Sequence, residues 1–395
     1  MNASHHRWRV LIGLVGVYSA FGMAVTALAP MLTLVQEDIG ASRGSMGLAL
    51  GAWAFMFIFT APLAGRFIDR FGIGWAVALG GCSVSGSLLA RADATSVSSM
   101  WFAVALFGVF GPLISASAPT FVTRWFPDET ERRRAVGIYV VAPAIGGVVI
   151  VATTNSFLLP LFDDSWRRVL IAESALAAAL TIIWVVTYAT STKPSILRPK
   201  TTPEGGHLRE LLGSSGVRLA LGLAFTVFFV NHSLGPWTVT VVEDLGDFSP
   251  SVASNWTALA GLIGIGISAV IPNFANPRRV IGLLIAAFIV LACGLCITAL
   301  GSPPLIVIGT IISAARSALI PLTILILMEA DRVTSSNAGL ANGIWFAVGE
   351  VGGVTGPLVM GLIADSSAGF TGGLLVVAGL ALTTAIGTRL ATVSR

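Results

Sequence analysis

Ile311-Ile312-Ser313-Ala314-Ala315-Arg316-Ser317-Ala318-Leu319-Ile320-Pro321 sits in the middle of an apolar run from Pro304 to Met328. A run of that length crosses a bilayer as a helix, since about 20 residues span roughly 30 Å of hydrocarbon. It places an arginine near the midpoint. An ionisable group at that depth costs about 2.5–3.5 kcal/mol on insertion scales, and it faces a wet cavity or a partner. Nothing nearby on the same helix neutralises Arg316. Its counter-charge has to come from another helix or from a bound molecule.

The rest of the chain agrees with a membrane setting. Of 395 residues, 55% are hydrophobic and 11% are charged, against about 25% charged in soluble domains. The formal net charge of +4 comes from basic residues clustered in short connecting segments, with no basic, aromatic-rich face, so a nucleic-acid partner is excluded. The cysteines are Cys82, Cys293 and Cys296, all in apolar segments. Cys293-x-x-Cys296 lacks a βαβ context or a second ligand pair, so it reads as small residues packing in a helix. Neither a metal nor a cofactor is expected. Arg7, Arg9, the apolar run from Val10 and Ala27-Leu28-Ala29 imitate a secretion signal. Pro30 disfavours cleavage there, and the segment reads as the first membrane helix.

Apolar runs recur at 9–33, 45–64, 74–91, 99–123, 134–156, 167–189, 218–240, 252–272, 279–300, 304–328, 338–362 and 371–390. The expected fold class is therefore an all-α membrane protein with twelve transmembrane helices. The long hydrophilic stretch 191–217 holds Lys193, Pro194, Arg198, Pro199, Lys200, Pro203, Gly205 and Gly206. Such a mixture marks a linker between a six-helix bundle over 1–190 and another over 218–395. With the N-terminus inside, only Arg43, Arg91, Arg167 and Arg168 fall in outer segments, and the other Lys and Arg residues apart from Arg316 fall in inner ones. The positive-inside rule then puts both termini and the linker in the cytoplasm. Arginine far outnumbers lysine, which suits a GC-rich bacterial genome. The expected location is the inner (cell) membrane of a bacterium.

The two halves resemble each other at one constant shift of 206. Val35-Gln36-Glu37-Asp38-Ile39-Gly40 falls on Val241-Val242-Glu243-Asp244-Leu245-Gly246, and Pro30 falls on Pro236. The same shift places Gly146-Gly147-Val148 on Gly352-Gly353-Val354. Both matches equate helix n with helix n+6 in the same orientation. A parallel repeat of this kind is a transporter signature.

Between the second and third helices lies Gly65-Arg66-Phe67-Ile68-Asp69-Arg70-Phe71-Gly72. This resembles the signature cytoplasmic loop of the major facilitator superfamily, glycine and then Asp-Arg-x-Gly. The twelve helices, the duplication and the linker extend the resemblance over essentially the whole chain. It implies a two-bundle secondary transporter working as a monomer. It also implies that Gly65, Asp69, Arg70 and Gly72 form a conformational latch. In that reading Asp69 lies near the start of helix 11, Gly65 lets helices approach, Arg70 ties the loop and Gly72 permits the turn. The family usually has basic residues after the last glycine, whereas this chain has Ile73-Gly74. Ala142-Pro143-Ala144-Ile145-Gly146-Gly147 is similar to the helix-5 motif of the family's antiporters, but glycines so spaced also serve close helix packing.

Two acidic residues share the spans with Arg316. Glu350 lies near the midplane of helix 11, and Glu173 lies nearer one surface on helix 6, where a packing or interfacial role is expected. Equal depth makes a contact between Arg316 and Glu350 possible. Asn231-His232-Ser233 on helix 7 is a polar triplet that cannot face lipid cheaply, and histidine titrates near neutral pH. Tyr18, Trp53, Ser115 and Ser117 are further cavity candidates. The expected substrate-binding set is Arg316, His232, Asn231 and Tyr18, with Glu350 as the proton-coupling site.

The leading functional expectation is proton-coupled transport of a small organic anion of monocarboxylate type, because a planar guanidinium fork suits a carboxylate. Protons, the bilayer and the anion are the expected partners. The competing expectation is a proton antiporter that exports drugs or metabolites, for which a membrane-embedded carboxylate and the helix-5 motif speak. No loop carries a nucleophile, metal or phosphate motif, so an enzyme is not expected.

Overall fold

A computed structural model describes residues 3–191, 208–334 and 337–393, and their regular structure is helical throughout. Twelve helices among the described residues are long and apolar enough to cross a membrane. They are α1 His6–Ile39, α2 Arg43–Phe71, α3 Ile73–Ala92, α4 Val97–Trp125, α5 Glu129–Leu161, α6 Trp166–Ala189, α7 Ser215–Gly246, α8 Pro250–Phe274, α9 Val280–Thr298, α10 Pro303–Met328, α11 Ala338–Ala364 and α12 Gly369–Ala391.

Each helix coincides with one of the apolar runs, and most extend beyond it. Hydropathy marks only the part of a helix that sits in hydrocarbon, whereas the helix itself ends where its backbone groups are capped. Asp128 accepts from the Glu131 N–H, and Glu129 and Glu131 occupy the first turn of α5, where the positive end of the helix favours acids. Ser165 and Ser214 cap α6 and α7 in the same way.

Four helices depart from α geometry, α8 only in its closing 3-10 turn Ile271–Phe274. In α1 a turn at Ala27-Leu28 leads into a 3-10 turn at Ala29–Met31 that carries Pro30. The Pro30 carbonyl accepts from Asn155 Nδ2 at 2.7 Å, and Asn155 lies in a π-helical turn of α5 at Thr154–Leu158. In α10 the α-helix is interrupted by a 3-10 segment, Ser313–Ala318. Pro321 gives the physical cause. Its ring removes one backbone donor and crowds the carbonyl of Ser317, four residues earlier, so the turn before it tightens.

The chain packs as two compact units. One comprises 1–40 and 59–199, the other 41–58 and 200–395. Helix α2 therefore contributes to both. Much of the expected linker, 192–207, lies outside the described residues, and Leu208–Gly213 forms a short helix. In the first unit α1 packs on α5 and α6, and α3 on α6 and α4. In the second, α7 packs along α11, α9 on α10 and α12, and residues 43–50 on α11. Large side chains such as Phe59, Trp75, Ile182 and Leu390 stay exposed, as a surface solvated by lipid requires.

The internal repeat reappears as contacts within each unit. Gly146 lies against the backbone of Ser19, and Gly352 lies against the backbone of Phe225, both residues shifted by 206. In each case any side chain on the glycine would run into the carbonyl of the facing helix. Glycine at these crossings is a requirement of close approach.

A branched side chain at Gly352 should therefore drive α7 and α11 apart. Gly352→Val is expected to lose about 1–3 kcal/mol or more of stability through overpacking, read as a lower melting temperature and poor recovery of monodisperse protein. Gly343→Val on the same helix, where an added Cβ meets nothing within 4 Å, should be tolerated. Equal behaviour of the two variants would contradict this packing.

Candidate functional site

Arg316 sits in the 3-10 turn of α10, which packs against α8 and α9. Small residues permit that approach. A Cβ on Gly294 would stand 2.6 Å from the Ser313 hydroxyl oxygen. The side chain of Arg316 lines a cavity of about 50 Å³ within the second unit, together with Thr238 of α7, Thr257 of α8 and Thr310, Ser313 and Ser317 of α10. Its Nη1 is buried and has no hydrogen-bond partner. Among the described residues no ion pair reaches Arg316, from Glu350 or from any other acid.

Glu350 has a different neighbour. Its Oε2 lies 3.7 Å from Nε2 of His232, and the two side chains are 3% and 15% exposed. His232 Nδ1 is 2.9 Å from the Phe228 carbonyl oxygen. A carbonyl only accepts, so Nδ1 carries the hydrogen in that bond. Nε2 is then the nitrogen whose protonation is free to change, and it faces the carboxyl group. The pair can hold one proton either on Glu350 or on Nε2. The ring of His232 is fixed between Phe228, with centroids 5.7 Å apart, and Trp53, 5.0 Å apart. A methyl at Gly353 would stand 2.5 Å from Glu350 Oε2, so glycine leaves the carboxyl its space. Asn231 Nδ2 donates to the Val227 carbonyl at 2.9 Å, and the Ser233 hydroxyl is buried without a partner.

The sequence left an Arg316–Glu350 contact open. The structure separates the two, because equal depth says nothing about the direction in which each side chain leaves its helix. It also contains features the sequence reading missed. Trp53 was only a general cavity candidate, and Gly353 entered only through the internal repeat. Thr257 carried no signal beyond being a hydroxyl in an apolar helix.

In the first unit, Tyr18 stacks with Tyr139 at 6.3 Å between centroids and meets Phe21 edge-on at 5.7 Å. Arg91, read above as a charge of an outer segment, is 2% exposed in the last turn of α3. It is the opposite charge that acts on Glu173, itself 3% exposed. Arg91 Nη1 donates to the Ala24 carbonyl at 2.6 Å. Both carboxyl oxygens of Glu173 are buried without a hydrogen bond.

The latch residues occupy the junction of α2 and α3. Asp69 accepts from Arg124 Nη2 at 3.3 Å and remains 74% exposed. The Arg70 guanidinium lies over the Phe71 ring at 5.3 Å, and Gly72 turns the chain at φ +86. Gly65 is exposed, and a side chain there would meet nothing within 4 Å. Close helix approach is not what glycine provides at that position.

The duplicated Glu-Asp-x-Gly segments each hold an arginine. Asp38 pairs with Arg167 in the first unit. In the second, Asp244 Oδ1 accepts from Arg43 Nη2 at 2.9 Å. Arg43 Nη1 also donates to the Ala364 carbonyl at 3.1 Å, and the guanidinium lies 4.6 Å over the Phe370 ring. Asp365 completes this clamp by accepting from the Arg43 and Gly44 N–H groups at 3.0 and 2.7 Å. Those groups begin a helical segment, where an anion is favoured. Burial pushes the Asp365 carboxyl up, but the backbone donors of Gly44 and Arg43, the Ser42 hydroxyl and the Arg43 charge outweigh it and hold the group below the usual carboxylate range.

Comparison with known proteins places these features in context. A family model described as Major Facilitator Superfamily matches residues 14–329. The chain is 25% identical to a D-galactonate transporter of Escherichia coli, over 88% of this chain and 86% of that protein. It is 28% identical to Multidrug resistance protein 2 of Bacillus subtilis, over 56% of this chain and 54% of that protein. Its fold is similar to that of the nucleoside transporter NupG, solved as a point mutant. The TM-score is 0.78 at 14% identity, covering 98% of this chain and 99% of that one.

The clamp carries a pH signature. The folded-state value of Asp365 is lowered, so its stabilisation is present above the unfolded value near 3.9 and is lost as pH falls through the folded value. Asp365→Asn should melt below wild type at neutral pH, and the two melting temperatures should converge below about pH 4. A gap that persists unchanged into acid would contradict the assignment.

Proposed function

Because the chain belongs to the Major Facilitator Superfamily and is a multi-pass secondary transporter rather than an enzyme, we propose that it carries a small organic anion of monocarboxylate type by alternating access, coupled to protons. The observation that supports this most is Arg316, a membrane-depth guanidinium with a buried, unpartnered Nη1 beside a cavity that no carboxylate lines among the described residues. A substrate carboxylate supplies the missing acceptor and the missing charge together. Asn231 and His232, of the same unit as Arg316, and Tyr18 are assigned to substrate contact. Glu350 is assigned to proton coupling, with His232 Nε2 as the group that exchanges its proton. Asp69, Arg70 and Gly72 are retained as latch residues. The protein is placed in a bacterial inner membrane with both termini cytoplasmic, working as a monomer.

The similarity to a D-galactonate transporter over 88% of the chain supports an anionic substrate. Drug efflux is the second reading. The multidrug relative, aligned over 56% of the chain, and the buried Glu350 support it.

Uptake of D-galactonate and simpler monocarboxylates into proteoliposomes separates the two. A hydrogen bond to a charged group contributes about 1.5–3 kcal/mol, so Arg316→Ala should weaken apparent affinity by about 10- to 100-fold while the protein stays folded. Unchanged affinity sinks the anion assignment, and resistance to cationic drugs conferred on a pump-deleted host would favour the second reading. Glu350→Gln should still exchange substrate across the membrane but no longer accumulate it on a proton gradient. Accumulation at the wild-type level would remove Glu350 from the coupling role.

A further inference from the structure

The cavity beside Arg316 has a composition that points to a ligand of its own. Thr238 and Ser313 both line it, and both donate to carbonyls of their own helices, Leu234 and Gly309. Thr257 does not. Its Oγ1 is buried and has no hydrogen-bond partner, and the same is true of Arg316 Nη1. Two unpartnered donors, one of them charged, thus share a cavity that no Asp or Glu lines among the described residues.

Water accepts a hydrogen bond but brings no charge. Arg316 Nη1 is buried, and a charge withdrawn from water without a counter-charge is unfavourable. The space is about 50 Å³, several times the roughly 10–15 Å³ that one water requires. That admits a halide with a water. We propose that this cavity binds a monovalent inorganic anion the size of chloride, held by Arg316 Nη1 and Thr257 Oγ1. The site lies inside the second unit, and its occupancy follows from the cavity whether or not the chain moves an organic acid.

The test uses full-length protein in detergent, with chloride and bromide as probes and isethionate as an anion too large to enter. At constant ionic strength near 0.15 M, bromide or chloride should raise the wild-type melting temperature by about 2 °C or more over isethionate. Thr257→Val should require a several-fold higher halide concentration for the same shift, and Arg316→Ala should show none. Anomalous scattering from bromide-soaked crystals should place a peak beside Arg316, which decides the matter even where Arg316→Ala fails to fold. Equal melting in bromide and isethionate, a halide shift that survives in Arg316→Ala, or crystals with no bromide at Arg316 would each overturn the proposal. Loss of organic-acid uptake with the halide response intact would instead overturn the transport reading alone.

Discussion

A guanidinium in the middle of a membrane-spanning helix has to be answered, and among the described residues no acid answers Arg316, whose Nη1 is buried. Much of the second unit is arranged around that fact. Pro321 tightens the middle of α10 into a 3-10 turn, and Gly294 of α9 and Gly264 of α8 let the turn come close. The result is a small, mainly apolar cavity whose strongest donor, Arg316 Nη1, has no partner. Glu350 faces a different group, its Oε2 3.7 Å from His232 Nε2 and without a hydrogen bond. A charge that is neutralised within its own fold has little left to offer a ligand. In the proposed function, keeping the two ionisable groups apart leaves one positive centre for an anion and one site for a proton.

The duplication sharpens this point. The glycine crossings are shared by both units at the same shift, Gly146 with Ser19 and Gly352 with Phe225. The charges within the spans are not shared. Under that shift Glu350 corresponds to Ala144, Arg316 to Phe110 and His232 to Thr26. The first unit has its own buried pair, Arg91 and Glu173, whose counterparts are Ile297 and Gly379. The packing frame is repeated and the chemistry is laid on it unevenly, as a carrier needs if substrate and proton are handled at distinct places.

How much of this was legible beforehand follows from what a sequence encodes directly. The twelve spans were legible because hydrocarbon thickness sets a length and lipid sets a composition. Helix ends were less so, since caps such as Asp128 lie in polar segments that hydropathy ignores. The 3-10 turn of α10 follows from Pro321, but Ser-Ala-Ala-Arg-Ser-Ala has no signature of its own. Depth along the membrane normal can be counted in residues, at about 1.5 Å each. Direction around the helix axis cannot be assigned without the neighbours. That is why Arg316 and Glu350 looked like partners, and why Arg91 looked like a surface charge when it turns inward to the Ala24 carbonyl.

The central claim is that Arg316 and Glu350 are energetically independent in the resting protein. A double-mutant cycle on thermal stability with Arg316→Ala, Glu350→Gln and the combination measures this directly. Without added ligand, the effects should add to within about 0.5 kcal/mol, as for residues that share no contact. A coupling of about 2 kcal/mol or more would mean that the two charges answer each other, and neither the free arginine nor the separate proton site would stand.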